Sequence, residues 1–460
     1  MSVSEGVNYK DRQIIVHGSP WAAIWLMAWP LLLNHFIISL ASSFDVYIAG
    51  RIGSVAQAAI GIAGQVWYLL VLLTVALSAG TGALVSRYFG AKNITKAINA
   101  ARYSILFAMC FGLISTSIGL LFCKDLFIVL GATPEVCKAG KQFLSVDLFT
   151  QIPFTLIWVI NSILRAKGNA RAPMIAWFIM LISILFFDYL FCLGPFRLGL
   201  PGIAYSWLIS GFIGLAFEIY IISQSSFKSS LNLWHKFNVK KMRIWFQRIL
   251  NIGLPACIQD LAWVLTNFTL IKILAMTQNP DASQASWSIG LRLEEMIGGM
   301  PIYALGMAVA TIVGQNLGAG YLARAKKFGF QVALVGFIYN TIVGLGMYFG
   351  ASAIAQLMTN DTNVHTFTIQ YLKINGPIQP IIAIWLILYG AMQGAGYTKI
   401  PMWTTIFVIS IVRLPICYYL TKVSCLETTG VFLGVAITAC LMGFIAVYQF
   451  IYGHWQEQHV

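Results

Sequence analysis

The chain has 460 residues, 59% of them hydrophobic and only 10% charged, which excludes a soluble globular domain of this length. Its formal net charge of +14 would suit nucleic acid if the basic residues formed a folded patch. They are scattered between apolar runs instead, so a nucleic-acid partner is not expected.

Taken in chain order, a polar N-terminal stretch precedes a first apolar run long enough to span rather than be cut away, so no cleavable signal peptide is expected. Runs of about 20 apolar residues, enough to cross a bilayer, fall at roughly 22–47, 57–84, 100–123, 141–164, 173–194 and 200–223. After a polar connector, six more fall at roughly 249–276, 285–313, 328–357, 368–392, 400–421 and 430–452. Pro30 and Pro255 sit early in the first and seventh runs, where a proline frees a carbonyl and can hinge a helix. The connector carries Ser and Lys clusters with one amphipathic stretch around Trp234 to Phe246. It reads as an interfacial linker lying on anionic lipid.

The two sets of six repeat one another. Gly-Ala-Leu-Val-Ser-Arg-Tyr-Phe-Gly-Ala-Lys, from Gly82 to Lys92, returns as Ala-Thr-Ile-Val-Gly-Gln-Asn-Leu-Gly-Ala-Gly, from Ala310 to Gly320. Gly90 pairs with Gly318, and 318 − 90 = 228; Gly168 with Gly396, Pro173 with Pro401 and Gly202 with Gly430 keep the same offset. Gly90, Gly318, Gly168 and Gly396 fit helix C-caps. The expected fold is an all-α integral membrane protein of twelve transmembrane helices in two repeated lobes, of the kind that place a binding site between repeats. The lobes are 1–223 and 249–460, joined by a cytoplasmic connector at 224–248.

Basic residues fall mostly on one side of this topology. Alternate loops hold Lys10, Arg12, Arg87, Lys92, Lys96, Arg102, Arg165, Lys167, Arg171, Lys228, Lys236, Lys240, Lys241, Arg243, Arg248, Arg324, Lys326, Lys327 and Lys399. The opposite loops hold Arg51, Lys124, Lys138, Lys141, Arg197 and Lys422. Nineteen against six places both termini and the connector in the cytoplasm. Of the eight cysteines, Cys110, Cys257 and Cys440 lie inside apolar runs as small hydrophobes. Cys123 and Cys137 flank an outer loop, where they could oxidise together. No metal-ligand spacing is present.

Ionisable groups inside the bilayer cost several kcal/mol and point to function, about 2.5–3.5 kcal/mol for an aspartate at the centre. In the first half the clearest are Asp45, six residues before Arg51, and Asp188, six before Gly194. At 1.5 Å per residue both lie about 9 Å below the outer boundary and could face one another. Two carboxylates together in an apolar site cannot both stay ionised cheaply, so one is expected to hold a proton and release it as the protein changes state. Tyr189, Tyr205, Ser206 and Ser210 are candidate neighbours. In the second half Asp260 is a second-rank candidate, with an ion pair to Arg413 as its structural alternative. Arg292 and Glu294 read as a buried structural pair. The halves differ in chemistry, since Ile416 occupies the position that pairs with Asp188.

Val313-Gly-Gln-Asn-Leu-Gly-Ala-Gly320, Arg292-Leu-Glu294 and Gly394-Ala-Gly-Tyr-Thr-Lys-Ile-Pro401 resemble the second half of multidrug and toxic compound extrusion (MATE) transporters. Pro30, Asp45-Val-Tyr-Ile-Ala-Gly-Arg-Ile-Gly53, Arg165-Ala-Lys-Gly168 and Asp188 resemble the first, and the likeness is greatest to the DinF-like bacterial branch. The resemblance implies two six-helix lobes around a cavity that opens to either side in turn. It also implies export of large organic, often cationic, drugs or metabolites in exchange for protons or sodium ions, across a bacterial inner membrane. It assigns the coupling to Asp45 and Asp188. Sodium-binding members resemble one another in an Asn one turn before the acid of the fifth helix and a Thr in the sixth; here the first position is Ile184 and the second aligns with Trp207, or with Ser206 one residue away. Losing two oxygens disfavours a hard cation, so the proton is favoured as coupling ion, with sodium possible near Asp45 and Asp188. A cationic guest would suit acids and aromatics, and Trp67, Tyr68, Phe154, Trp158, Trp263, Met296, Met300, Tyr303 and Met307 are candidate cavity residues. No cofactor and no obligatory protein partner is expected, and a monomer working with small organic substrates in the lipid bilayer suffices.

Two other readings compete. A lipid-linked precursor flippase of the same superfamily would want a basic cavity for phosphate, which the first-half acids oppose. A membrane enzyme would need convergent catalytic groups. His17, His35, His235, His365, His454 and His459 are scattered, with no metal-binding spacing.

Overall fold

A computed structural model of the chain describes residues 13–129, 132–233 and 238–458, and within them every side chain but those of residues 124, 125, 128 and 129. Lys10, Arg12, Trp234, His235, Lys236, His459 and the side chain of Lys124, all weighed above, lie outside the described residues.

Among the described residues there is no strand, and twelve helices are long and apolar enough to cross a membrane. They are α1 (Pro20–Ile52), α2 (Ser54–Gly90), α3 (Ile94–Cys123), α4 (Pro134–Ala166), α5 (Arg171–Leu193), α6 (Leu200–Ser223), α7 (Val239–Leu274), α8 (Pro280–Gly318), α9 (Leu322–Phe349), α10 (Thr362–Gly394), α11 (Lys399–Val423) and α12 (Glu427–Tyr452). Each covers one expected apolar run. The run expected at 328–357 is broken, because the helix stops at Gly350 and a short helix, Ala351–Met358, follows.

Local chemistry sets the ends. Ser19 caps α1 by accepting the Ala22 N–H at 3.3 Å, and Pro20 opens the helix where no N–H is needed. Asp361 caps α10 by accepting the N–H groups of Asn363 and Val364, both at 2.9 Å.

The repeat extends to the backbone. The bounds of α4 and α10 differ by 228 at both ends (362 − 134 and 394 − 166), and each helix tightens into one 3₁₀ turn, Leu148–Thr150 and Gly376–Ile378. The helix ends after α2, α4, α8 and α10 close alike: the N–H groups of Asn93, Asn169, Tyr321 and Tyr397 donate to the carbonyls of Tyr88, Leu164, Asn316 and Met392 at 2.9–3.0 Å. The left-handed residue of each closure is Lys92 (φ 59), Gly168 (φ 96), Gly320 (φ 83) and Gly396 (φ 81). After α2 and α8 it therefore lies two residues beyond Gly90 and Gly318, the caps expected from sequence.

The chain divides into two compact units, the first reaching Leu254 and the second starting at Pro255, inside α7. Unit 1 holds α1 to α6 and the first part of α7, which lies tightly on α2: a Cβ on Gly253 would collide with the Ala76 carbonyl, and one on Gly80 with that of Ile249. In unit 2, α8 and α10 meet through glycine, since a Cβ on Gly394 would collide with the Ala310 carbonyl. Below, the basic end of unit 1 is the end with the α2–α3 and α4–α5 turns, and the opposite end is that with the α1–α2 and α5–α6 turns.

The connector corrects one expectation. Its first residues do not lie out on a lipid surface: Ser225, Phe227 and Ser230 are buried. Phe227 packs against Phe89, with ring centroids 6.1 Å apart, and lies under the Lys167 ammonium, 4.8 Å from the ring centroid. Arg102 donates from Nη2 to the Ser229 carbonyl at 2.9 Å. An aromatic ring and a buried lysine dock the segment where its serines and lysines suggested an interfacial linker on lipid. Cys123 and Cys137 are free thiols here.

Candidate functional site

Asp45 lies on α1 and Asp188 on α5, both toward the opposite end of unit 1. Asp188 is fully buried, and neither of its carboxylate oxygens has a hydrogen-bond partner. A π turn, Tyr189–Leu193, follows it at once, the kind of local widening that recurs at functional positions. Asp45 is half-buried; its Oδ1 is buried without a partner, while its Oδ2 accepts the indole N–H of Trp207 at 2.8 Å. The two carboxylates are within electrostatic reach of one another. The surroundings are apolar: Ile48, Leu148, Ile203, Phe191 and Cys192 belong to one hydrophobic cluster with Trp207. Carboxylates placed so close with so few donors must share their charge with a proton or a cation.

Trp207 is the organising side chain. Its ring packs on Phe154 with centroids 5.6 Å apart, and Phe154 in turn meets Trp67 at 6.5 Å and Trp177 at 5.9 Å. Ile184, at the other position where an oxygen is absent, is fully buried. Ser206 lies beside Asp188, but its hydroxyl donates to the Gly202 carbonyl at 3.0 Å. Ser210 is buried with an unpartnered hydroxyl, whereas Tyr189 and Tyr205 are exposed.

A third acid joins this pair. Asp147, on α4 one residue before the 3₁₀ turn, is within electrostatic reach of Asp45, more weakly than Asp188. Sequence reasoning passed over it, although the depth argument that selects Asp45 and Asp188 selects it too: it stands six residues inside the run expected at 141–164 (147 − 141 = 6). Glu218 on α6 was passed over as well, and it is fully buried.

The expected cavity residues divide. Phe154 is buried in the aromatic cluster beneath Trp207. Trp67, Trp158, Trp263, Met300 and Met307 are half-buried, and Tyr68, Met296 and Tyr303 are exposed.

Unit 2 repartners the charges expected there. Arg413 does not serve Asp260. It is buried, donates from Nε to Thr438 Oγ1 at 2.8 Å and lies within electrostatic reach of Glu294 and Tyr371. Arg292 lies within reach of Glu295 rather than forming the expected pair with Glu294. The reason is helical geometry. A π turn, Glu294–Gly299, starts at Glu294, and another, Ile406–Val412, ends just before Arg413. Both side chains are thereby re-aimed from the register a regular helix would give. Asp260 is half-buried near Cys257.

Comparison with known proteins gives a consistent picture. The profile of the MatE family matches residues 30–190 and 255–419. A probable multidrug resistance protein NorM of Thermotoga maritima is 24% identical over 442 residues, 94% of this chain and 93% of that protein. A FAD transporter of Shewanella oneidensis is 23% identical, covering 95% of this chain and 96% of its own. A crystal structure of a MATE protein in a bent conformation superposes with a TM-score of 0.86 at 22% identity, over 96% of each chain.

Proposed function

The chain belongs to the MatE family of transporters, and from that premise we propose that it exports large organic cations in exchange for protons, by alternating access. Asp45 and Asp188 are the coupling pair, with Asp147 adding negative charge beside them. The observation that carries this reading is Asp188: a fully buried carboxylate with Ser206 as its one neighbouring hydroxyl, within electrostatic reach of a second carboxylate in an apolar cluster. A proton satisfies that site with no further ligand, whereas a sodium ion wants several oxygens. Trp207 turns a donor, not an acceptor, toward Asp45, which weighs against sodium. The basic end of unit 1 faces the cytoplasm under the positive-inside rule, and the protein sits in the inner membrane of a bacterial cell.

The relative named as a FAD transporter raises a second substrate class, an anionic dinucleotide. Three acids at one end of unit 1 have the wrong sign for it, so a cation remains the favoured guest.

Reconstituted protein in liposomes tests the reading. A pH gradient alone should drive accumulation of a cationic dye, and Asp45→Asn and Asp188→Asn should each reduce it to the level of empty liposomes. Accumulation driven by a sodium gradient with no pH gradient would overturn the choice of ion. Competition by FAD but by no cationic dye would overturn the choice of substrate.

A further inference from the structure

A second group of buried charge lies in unit 1, toward the basic end. Glu218 stands on α6 five residues before its last residue, Ser223, about 7.5 Å from that end. It is fully buried, and neither carboxylate oxygen has a hydrogen-bond partner. Arg165, the last residue but one of α4, lies within electrostatic reach of Glu218, yet no hydrogen bond joins them. His35 on α1 lies within reach of the same guanidinium, and its Nε2 is buried without a partner. Of the other charged groups near this end, Arg171 of α5 is turned over the Trp29 ring at 5.9 Å, and Lys167 is turned over Phe227. Lys228 of the connector is exposed. Arg165 is thus the cation that faces Glu218.

This geometry is poor for a structural ion pair, which needs direct hydrogen bonds to offset the desolvation of both charges. It suits a carboxyl that alternates between two states. The acid can be held neutral in its apolar surroundings, and after releasing its proton to water the carboxylate is steadied by Arg165 from a short distance.

The route along α6 has the same logic. Trp207, which holds Asp45, and Glu218 are eleven residues apart, three helical turns, and so lie on one stripe. Between them on that stripe stand Gly211 and Gly214. A Cβ on Gly211 would meet Phe154 at 3.0 Å, and one on Gly214 would collide with the sulfur of Met180. Ser210 is the single polar side chain of α6 between the two groups. Asp45 with Asp188 and Glu218 are therefore separated by packing of Phe154 and Met180 against glycine.

We propose that Glu218 is a second proton-carrying carboxyl of unit 1, exchanging protons with the basic end and set in series with Asp45 and Asp188 across that packed segment. The inference rests on the proton-coupling reading above.

The test uses the full-length protein in liposomes, with a cationic dye as substrate and three readouts. Glu218→Gln should lower pH-driven accumulation by about 100-fold, the scale of losing a positioned proton-transfer group. It should keep dye–dye counterflow without a gradient at the unaltered rate, since exchange moves no net proton. Glu218→Asp should restore pH-driven accumulation and move a carboxylic acid band in pH-difference infrared spectra. Wild-type accumulation by Glu218→Gln alongside an inactive Asp188→Asn would overturn the role of Glu218 and leave the coupling pair standing. Wild-type accumulation by Asp188→Asn would overturn the coupling reading and this inference with it. Loss of counterflow together with accumulation in Glu218→Gln would mark Glu218 as structural. Should Glu218→Gln fail to reach the membrane, an infrared band left unmoved by Glu218→Asp would overturn the proposal.

Discussion

The helices α4 and α10 are the same object twice. Each has 33 residues and each tightens into a 3₁₀ turn at the same place. The residue just before the turn is Asp147 in unit 1 and Asn375 in unit 2. The neighbouring close approach is also built differently. In unit 1 the Ser162 hydroxyl donates to the Ser78 carbonyl at 2.6 Å, whereas the equivalent pair in unit 2 is Gly390 against Gly306. What repeats is what the backbone demands: helix length, turn closure and small residues where helices touch. Ionisable side chains are free of that demand, and they have diverged. Unit 1 gathers Asp45, Asp147 and Asp188 toward one end, while unit 2 holds Glu294 near Arg413 between two π turns.

The largest effect expected is the one that would break this asymmetry. Asp188→Asn should abolish pH-driven dye accumulation in liposomes, while Asp260→Asn should leave it substantially intact. Equal loss in both variants, at equal amounts of membrane-inserted protein, would mean that coupling is shared between the units.

Next in size is an exchange at Ile184 and Trp207 beside the two carboxylates. Replacing Ile184 with Asn and Trp207 with Thr restores the two oxygens absent here and removes the donor that occupies Asp45. Loss of a fully buried tryptophan costs about 3–5 kcal/mol, and Trp207 is half-buried, so the double variant should lose less than that and melt somewhat earlier in detergent. In the fraction that folds, sodium should now stimulate transport. Transport still indifferent to sodium would show that Trp207 does not set the ion.

The fold was legible from hydropathy and repeat because both report on the backbone and the bilayer. Twelve apolar runs became twelve helices, and an offset of 228 read from glycines recurs in the 3₁₀ turns. The site was half legible. Asp45 and Asp188 stood out as isolated acids in apolar runs, and they do lie together. Asp147 and Glu218 carried the same signal at a similar depth in their runs, but no motif or facing acid in the sequence marked them out. The partners of Arg413 and Arg292 were not legible, because π turns shift side chains off the regular helical register and leave no mark in composition. The docking of Phe227 under Lys167 was hidden by the polar residues around it.

A smaller effect sharpens the structural half of the comparison. A Cβ at Gly394 would collide with the Ala310 carbonyl, so Gly394→Ala should destabilise unit 2 by about 1–3 kcal/mol, the usual cost of overpacking. Ser162→Ala in unit 1 removes one hydrogen bond and should cost about 1 kcal/mol. Thermal unfolding in detergent would rank them, and the reverse order would mean that the glycine contact gives way more easily than the serine one.

The smallest effect separates backbone demand from history. Lys92 and Gly320 occupy the same left-handed position after α2 and α8, at φ 59 and φ 83, but only Gly320 takes it without a Cβ. For an L-residue with a Cβ that conformation costs roughly 1–2 kcal/mol. Lys92→Gly should therefore raise stability by somewhat less than that, because glycine also gives the unfolded chain more freedom. Gly320→Lys should lower stability by a similar amount. At roughly 2–4 °C per kcal/mol for a domain of 150–250 residues, opposite shifts of a few degrees in melting temperature are expected. If Lys92→Gly instead destabilises the protein, the lysine stem must contribute more through its contacts than the left-handed turn takes away, and the two closures would be alike in shape but not in what holds them.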